Sequence, residues 1–179
     1  MAEYLFNKLK IKEAAIIHDI GSDYSEGLTE NFVRTYTGLG GKVVSNQASD
    51  WEPEKARQIT ATVLQQNPDL CAVFGHWGIH TIGAGNAVKD AGLEDQVTVY
   101  ATGGGNREIC DQIENKVIDR YWSYNADGQG RDAATMMRAI LQGARPAEGQ
   151  LLQIDSPLID IKRETYSPDQ CWDMPKKAE

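Results

Sequence analysis

Long apolar runs are scarce in this sequence. The longest, AAII at 14–17 and AVF at 72–74, fall far short of the ~20 consecutive apolar residues that a membrane-spanning helix needs. Cysteine is nearly absent, with three residues at Cys71, Cys110 and Cys171, too few and too scattered for a zinc site or a disulfide framework. Cys71, flanked by apolar residues, reads as a buried strand thiol. For Cys110 and Cys171 the sequence leaves two states open, free thiols or a single bridge in an oxidising compartment. Positive charge is also short. Against 26 Asp and Glu stand 18 Lys and Arg, a formal charge of −8, and no basic stripe offsets it. Nucleic acid is therefore not expected as a partner.

Catalytic signatures are missing as well. There is no nucleophile elbow, no Cys/His pair with a supporting acid and no isolated carboxylate pair, so no enzymatic activity and no cofactor are expected. The opening MAEYLFNKLK alternates charges without an apolar core, unlike a secretory signal. A helix around residues 2–10 has no capping residue before it, which reads as a chain cut from something longer.

What is present is a regular alternation. With 179 residues, 41% of them hydrophobic, the chain fits one domain with an ordinary core. Short β-type runs are expected at 13–18, 42–46, 71–75, 96–101 and 117–123. Between them lie helical patterns. Leu28, Phe32 and Tyr36 share a face before Gly40 and Gly41, and Ala56, Ile59, Val63 and Leu64 follow Pro53. A helix over 78–91 stops at Gly92, a short one buries Ile109 and Ile113, and a last one over 127–142 lines up Ala133, Met136, Met137, Ile140 and Leu141. Five such βα units predict an α/β fold: a doubly wound, mainly parallel sheet of five to six strands with helices on both faces. Residues 1–160 form the ligand-binding lobe in this reading. Two further β-type runs, 151–154 and 158–161, precede a tail over 161–179, expected to reach elsewhere.

Three stretches carry a family resemblance: QNPDLCAVFGHWGIHTIGAGNAVKDAG at 66–92, the strand, glycine loop and short helix at about 98–118, and RDAATMMRAILQGARP at 131–146. Together they resemble the carboxy-terminal lobe of type I periplasmic sugar-binding proteins, the ribose- and galactose-binding kind that serve ABC transporters. The resemblance implies a periplasmic receptor lobe that holds a sugar or polyol against an amino-terminal lobe missing from this chain and docks on a membrane permease. An apolar face left bare by the missing lobe would favour self-association, so a homodimer stands open as a further partner. The effector domain of lactose-repressor-type regulators resembles the same fold and is the alternative reading.

Ligands of parallel sheets sit at the carboxyl ends of the strands. In the resembled family an Arg, an Asn, an Asp and a Gln or Asn contribute from these loops, and the matching positions here are Leu28, Trp77, Gly103 and Tyr124. The charged clamps are thus replaced. The remaining candidates are His76, Trp77, Gly103, Asn106, Trp122, Tyr124, Asn125 and Asp127. Flat aromatic faces would pack on sugar C–H faces while polar tips orient them, although Trp122 and Tyr124 read equally well as core. Gly103 to Gly105 read as a tight turn that permits close approach. His76 and His80 are four apart, but no third metal ligand stands at a sensible spacing. Asp19, Asp23 and Glu26 read as carboxylates at the positive end of a helix, with direct contact to ligand as the alternative.

Overall fold

The protein is described by a computed structural model covering residues 1–145 and 157–173. The elements alternate as the periodicity requires. A π-helical segment at Tyr4–Lys8 precedes β1 (Glu13–His18), α1 (Asp23–Gly38), β2 (Lys42–Ala48) and α2 (Pro53–Gln66). Next come β3 (Ala72–Gly75), α3 (Gly78–Asp90), β4 (Thr98–Gly103) and α4 (Arg107–Glu114). The series closes with β5 (Arg120–Ser123), α5 (Ala126–Leu141) and β6 (Ile159–Lys162). The strands form one sheet in the order β2-β1-β3-β4-β5-β6. The first five are parallel, and β6 pairs antiparallel with β5. The expected doubly wound α/β sheet is what forms.

Alternating strand residues feed opposite faces. Ala15, Ile17, Val73 and Val99 point to a layer built by Ala56, Val63 and Leu64 of α2 with Ala84 and Val88 of α3. Ala14, Ile16, Phe74 and Tyr100 point the other way, against Leu5 and against Phe32 and Tyr36 of α1. Ile109 and Ile113 of α4 close the far end over Ala101, Tyr121 and Ile161. Helix α3 lies so close to α2 that a Cβ at Gly83 would stand 1.8 Å from the Pro53 carbonyl oxygen. Only glycine allows that approach.

Several expectations need correction. The apolar stripe of α5 does not enter the core: no residue of this helix is buried, and Leu141 is 82% exposed. Periodicity reveals which residues share a face, but a second element must cover that face, and among the described residues none buries the α5 stripe. Cys71 is half-buried ahead of β3, its Sγ 3.2 Å from the Asp69 carbonyl. The strand expected from residue 117 begins at Arg120, with Val117 and Ile118 buried in the turn before it. Residues 151–154 lie outside the described chain. Beyond β6 the tail does not depart. It turns through two short 3-10 segments, Arg163–Thr165 and Pro168–Gln170, and a Cys110–Cys171 disulfide fastens it to α4.

Candidate aromatic binding rim

Because β1 to β5 are parallel, the loops at their carboxyl ends gather on one edge. Four aromatic side chains from four of these loops form a continuous row. The Tyr24 ring lies 5.4 Å from Tyr124 edge to face, and Tyr124 lies 6.3 Å from Trp77. Trp77 meets Trp51 at 6.3 Å, and Trp51 stacks on His80 at 5.8 Å. The row is partly open to solvent, with Tyr24 and Trp51 48% and 44% exposed. Ile20, next to Asp19 in the chain, and Ile79, two residues after Trp77, are also exposed. The Tyr124 hydroxyl donates to Thr102 Oγ1 at 2.6 Å, which fixes the ring. Burial raises the Tyr24 and Tyr124 phenols above their ordinary range, so both remain neutral hydrogen-bonding groups. A cleft of about 460 Å³ opens beside the row between Phe32 of α1 and Trp122.

Under the rim lies a buried polar layer. Asp19 is fully buried and accepts from the Trp51 backbone N–H at 2.6 Å and from Ser49 Oγ at 3.3 Å. Asp50 and Trp51 both adopt positive φ, 54° and 61°, a region that costs a residue with a Cβ about 1 kcal/mol or more. The Asp19 carboxylate holds this turn and thereby places the Trp51 ring. His80 Nδ1 stands 2.8 Å from Asp19 Oδ2, and His80 Nε2 accepts the Trp77 backbone N–H at 2.9 Å. Ser25 Oγ, which accepts from the Asp19 backbone N–H, bonds His76 Nδ1 at 3.0 Å. His76 Nε2 is buried without a hydrogen-bond partner. Burial lowers His76 to about 3 and His80 to about 4, so both rings are neutral near neutrality. Among the described residues no group of three His, Cys, Asp or Glu side chains is arranged to hold a metal ion.

The structure separates the residues that the sequence grouped. Trp77 and Tyr124 meet in the aromatic row, and Gly103, whose carbonyl accepts from Tyr124 N–H at 2.7 Å, turns beneath them. His76 lies below the rim, 1% exposed. Trp122 lies 6.0 Å from Tyr100 with the Arg120 guanidinium 4.7 Å over its ring, and it lines the cleft beside the row together with Thr102 and Tyr124. Asn125 caps α5, accepting from Gly128 N–H at 3.2 Å, and Asp127 pairs with Arg131 at 2.9 Å. Asn106 precedes α4 and bridges to Trp172. Asp23 and Glu26 do occupy the first turn of α1, whereas Asp19 is not a helix cap but the buried anchor of the Trp51 turn. Sequence reasoning passed over Tyr24 and Trp51. Trp51 sits just past the end of β2, the one strand-end loop left out of the candidate set, and strand-end position was the signal that would have found it.

Comparison with known proteins identifies the family and the fold. The profile described as periplasmic binding protein domain matches residues 1–145. The chain belongs to the periplasmic binding protein domain family. Among curated relatives of this periplasmic-binding-protein domain, a Pseudomonas aeruginosa protein named D-ribose/D-allose-binding protein is 33% identical over 101 residues, 55% of this chain and 32% of the relative. The Escherichia coli D-allose-binding periplasmic protein is 31% identical over 110 residues, 58% of this chain and 34% of the relative. The matched region thus spans about a third of each relative. Solved structures share the fold. A sugar-binding protein of a sugar ABC transporter from Bacillus halodurans superposes with a TM-score of 0.83 at 16% identity, covering 96% of this chain and 61% of that one. An ABC transporter periplasmic solute-binding protein from Actinobacillus succinogenes with bound D-allose gives 0.76 at 23% identity, covering 91% and 57%.

Proposed function

We propose that this domain is one lobe of a periplasmic receptor that binds a neutral sugar or polyol and delivers it, without chemical turnover, to an ABC-transporter permease. One observation carries the reading. The Tyr24, Tyr124, Trp77 and Trp51 row stands at the carboxyl ends of the parallel strands, the place where α/β folds take ligands. Trp77, Tyr124 and the Gly103 turn are the contact residues in this reading, joined by Tyr24, Trp51 and Thr102. His76 and Trp122 support them from below, and Asn106, Asn125 and Asp127 shape the flanking loops. The relatives' names point to an aldopentose or aldohexose as the solute class. Residues 161–173 count with the lobe, since they pack on α4.

The second lobe belongs to the proposal. The solved neighbours are covered to only 55–61% by this chain, and α5 presents an exposed apolar stripe of Met137, Ile140 and Leu141 of the kind that a facing domain covers. A second copy of the chain is the other candidate for that stripe. A thermal-shift screen against pentoses, hexoses and polyols tests the function. The expected result is a shift confined to a few sugars, with calorimetry giving only weak binding because half of the site is missing. No shift with any sugar overturns the sugar reading. Micromolar or tighter affinity of this chain alone overturns the one-lobe reading.

A further inference from the structure

The glycine loop after β4 is held from outside the sheet by the last described residues of the chain. Trp172 N–H donates to the Gly105 carbonyl at 3.0 Å, and Arg107 N–H donates back to the Trp172 carbonyl at 3.0 Å. The Trp172 indole Nε1–H donates to the Gly104 carbonyl at 2.8 Å. The Arg107 guanidinium adds an ion pair with Asp173 at 2.5 Å. On its inner side the loop is seated on Tyr121, whose hydroxyl accepts from Gly105 N–H at 3.0 Å. Gly103 and Gly105 have φ of 156° and 87°, and a Cβ at Gly105 would stand 2.2 Å from Ser123 Oγ. The loop is therefore pliable backbone that takes its shape from its neighbours. Upstream the tail is held by Arg163, paired with Asp119 at 2.9 Å, and by Tyr166, which packs on the α4 cluster and donates to Asp111 at 3.1 Å, whereas Asp169 and Asp173 nearer its end are exposed. What fastens the Trp172 end covalently is the disulfide between Cys171, next to Trp172, and Cys110, one turn into α4, closing a sequence separation of 61. Both cysteines are buried.

We propose that Trp172, fastened by the Cys110–Cys171 disulfide, is the positioning residue of the Gly103–Asn106 loop, so that the loop's conformation depends on the oxidation state of these two cysteines. The inference that this loop belongs to a binding rim rests on the function proposed above, but the positioning itself does not. Opening the bond with a dithiol reductant breaks one S–S bond and gives two thiols. Each sulfur gains one electron and one proton, and the reductant closes its own disulfide. The Trp172 end is then free to leave, and with it the Gly104 and Gly105 carbonyls each lose a donor and the Arg107 amide loses its acceptor.

Amide hydrogen exchange on the whole chain tests this without any ligand. In the oxidised protein the amides of Gly105, Arg107 and Trp172 are expected to exchange slowly. In the Cys110→Ser/Cys171→Ser variant, and in reduced wild type, all three are expected to speed up by at least about tenfold while β1 and β3 keep their protection. Reoxidation of the reduced protein restores slow exchange. Trp172→Ala with the disulfide intact is expected to free the Gly105 amide alone or with Arg107, since the bond to Tyr121 is then unsupported. Unchanged protection at Gly105 in all of these proteins overturns the proposal, because the loop then holds its own shape. Loss of protection throughout the sheet overturns it too, because the bond then sustains the whole fold. A sugar titration on the same proteins separates the two claims: altered exchange without altered binding leaves the positioning standing and removes the loop from the site.

Discussion

Trp77 and His80 are locked to each other across the first turn of α3. The Trp77 backbone N–H donates to His80 Nε2 at 2.9 Å while His80 Nδ1 faces Asp19 Oδ2 at 2.8 Å. A neutral imidazole with its proton on Nδ1 leaves Nε2 free to accept from Trp77 and turns its N–H toward Ser49 Oγ, 3.0 Å away, and the Asp19 carboxylate. A second proton on Nε2 would set donor against donor and push the Trp77 backbone, and its indole, out of the aromatic row. The protonation state of a fully buried side chain is thereby coupled to the surface of the candidate site.

Acid is expected to destabilise the domain. Burial, with neighbouring histidines adding to it, lowers His76 to about 3, and burial outweighs the Asp19 carboxylate to lower His80 to about 4. Both folded values lie below the ordinary histidine value of 6.5, so the unfolded chain takes up protons first. The contribution is complete above about pH 6.5 and is lost as pH falls toward the folded values, by at most about 1.4 kcal/mol per pH unit for each histidine. Urea midpoints measured at about pH 7, 6 and 5 should fall in that order, and His76→Gln should flatten the trend. A level profile in wild type would contradict the assignment.

Gly83 governs the contact of α2 with α3. Gly83→Ala places a methyl group against the Pro53 carbonyl, 1.8 Å from its oxygen, and backbone cannot rotate away. A loss of about 1–3 kcal/mol is expected in chemical denaturation. Gly27→Ala on α1, where nothing lies within 4 Å, is the control and should be neutral or slightly stabilising.

Burial distinguishes helices that look alike in sequence. Phe32 of α1 is 5% exposed and Leu141 of α5 is 82% exposed. Phe32→Ala should therefore cost about 3–5 kcal/mol, and Leu141→Ala should stay within about 0.5 kcal/mol of wild type. A comparable loss at both positions, read as a drop in melting temperature, would show that α5 is covered in solution.

The aromatic row should carry affinity and not stability. Trp51→Ala and Trp77→Ala are each expected to weaken binding of the sugar that gives the largest thermal shift by about tenfold, near 1.4 kcal/mol. Trp122→Ala should instead lower stability, since its ring packs with Tyr4 and Tyr100. Calorimetric titration of the three variants alongside their melting curves separates the two effects.

Order and type of the regular elements were legible in the sequence because both are written in local periodicity. AAII at 14–17 is apolar on both sides, as a central parallel strand must be, and Phe32 and Tyr36 recur at helical spacing before a glycine stop. The gathering of strand-end loops into one rim followed from the parallel order alone, and it placed Trp77, Gly103 and Tyr124 correctly on one edge. Tertiary structure decided the rest. Whether an apolar stripe is core or surface depends on a partner element, which among the described residues α1 has and the α5 stripe lacks. Whether Asp19 caps a helix or anchors Trp51 depends on β1 and β2 lying side by side, and whether Trp122 packs on Tyr4 and Tyr100 or joins the row with Tyr124 depends on where α1 and the first segment lie. The pairing of Cys110 with Cys171 needed the tail to return across the sheet edge to α4. Each of these is a relation between residues distant in the chain, and composition and spacing along the chain carry no information about such distances.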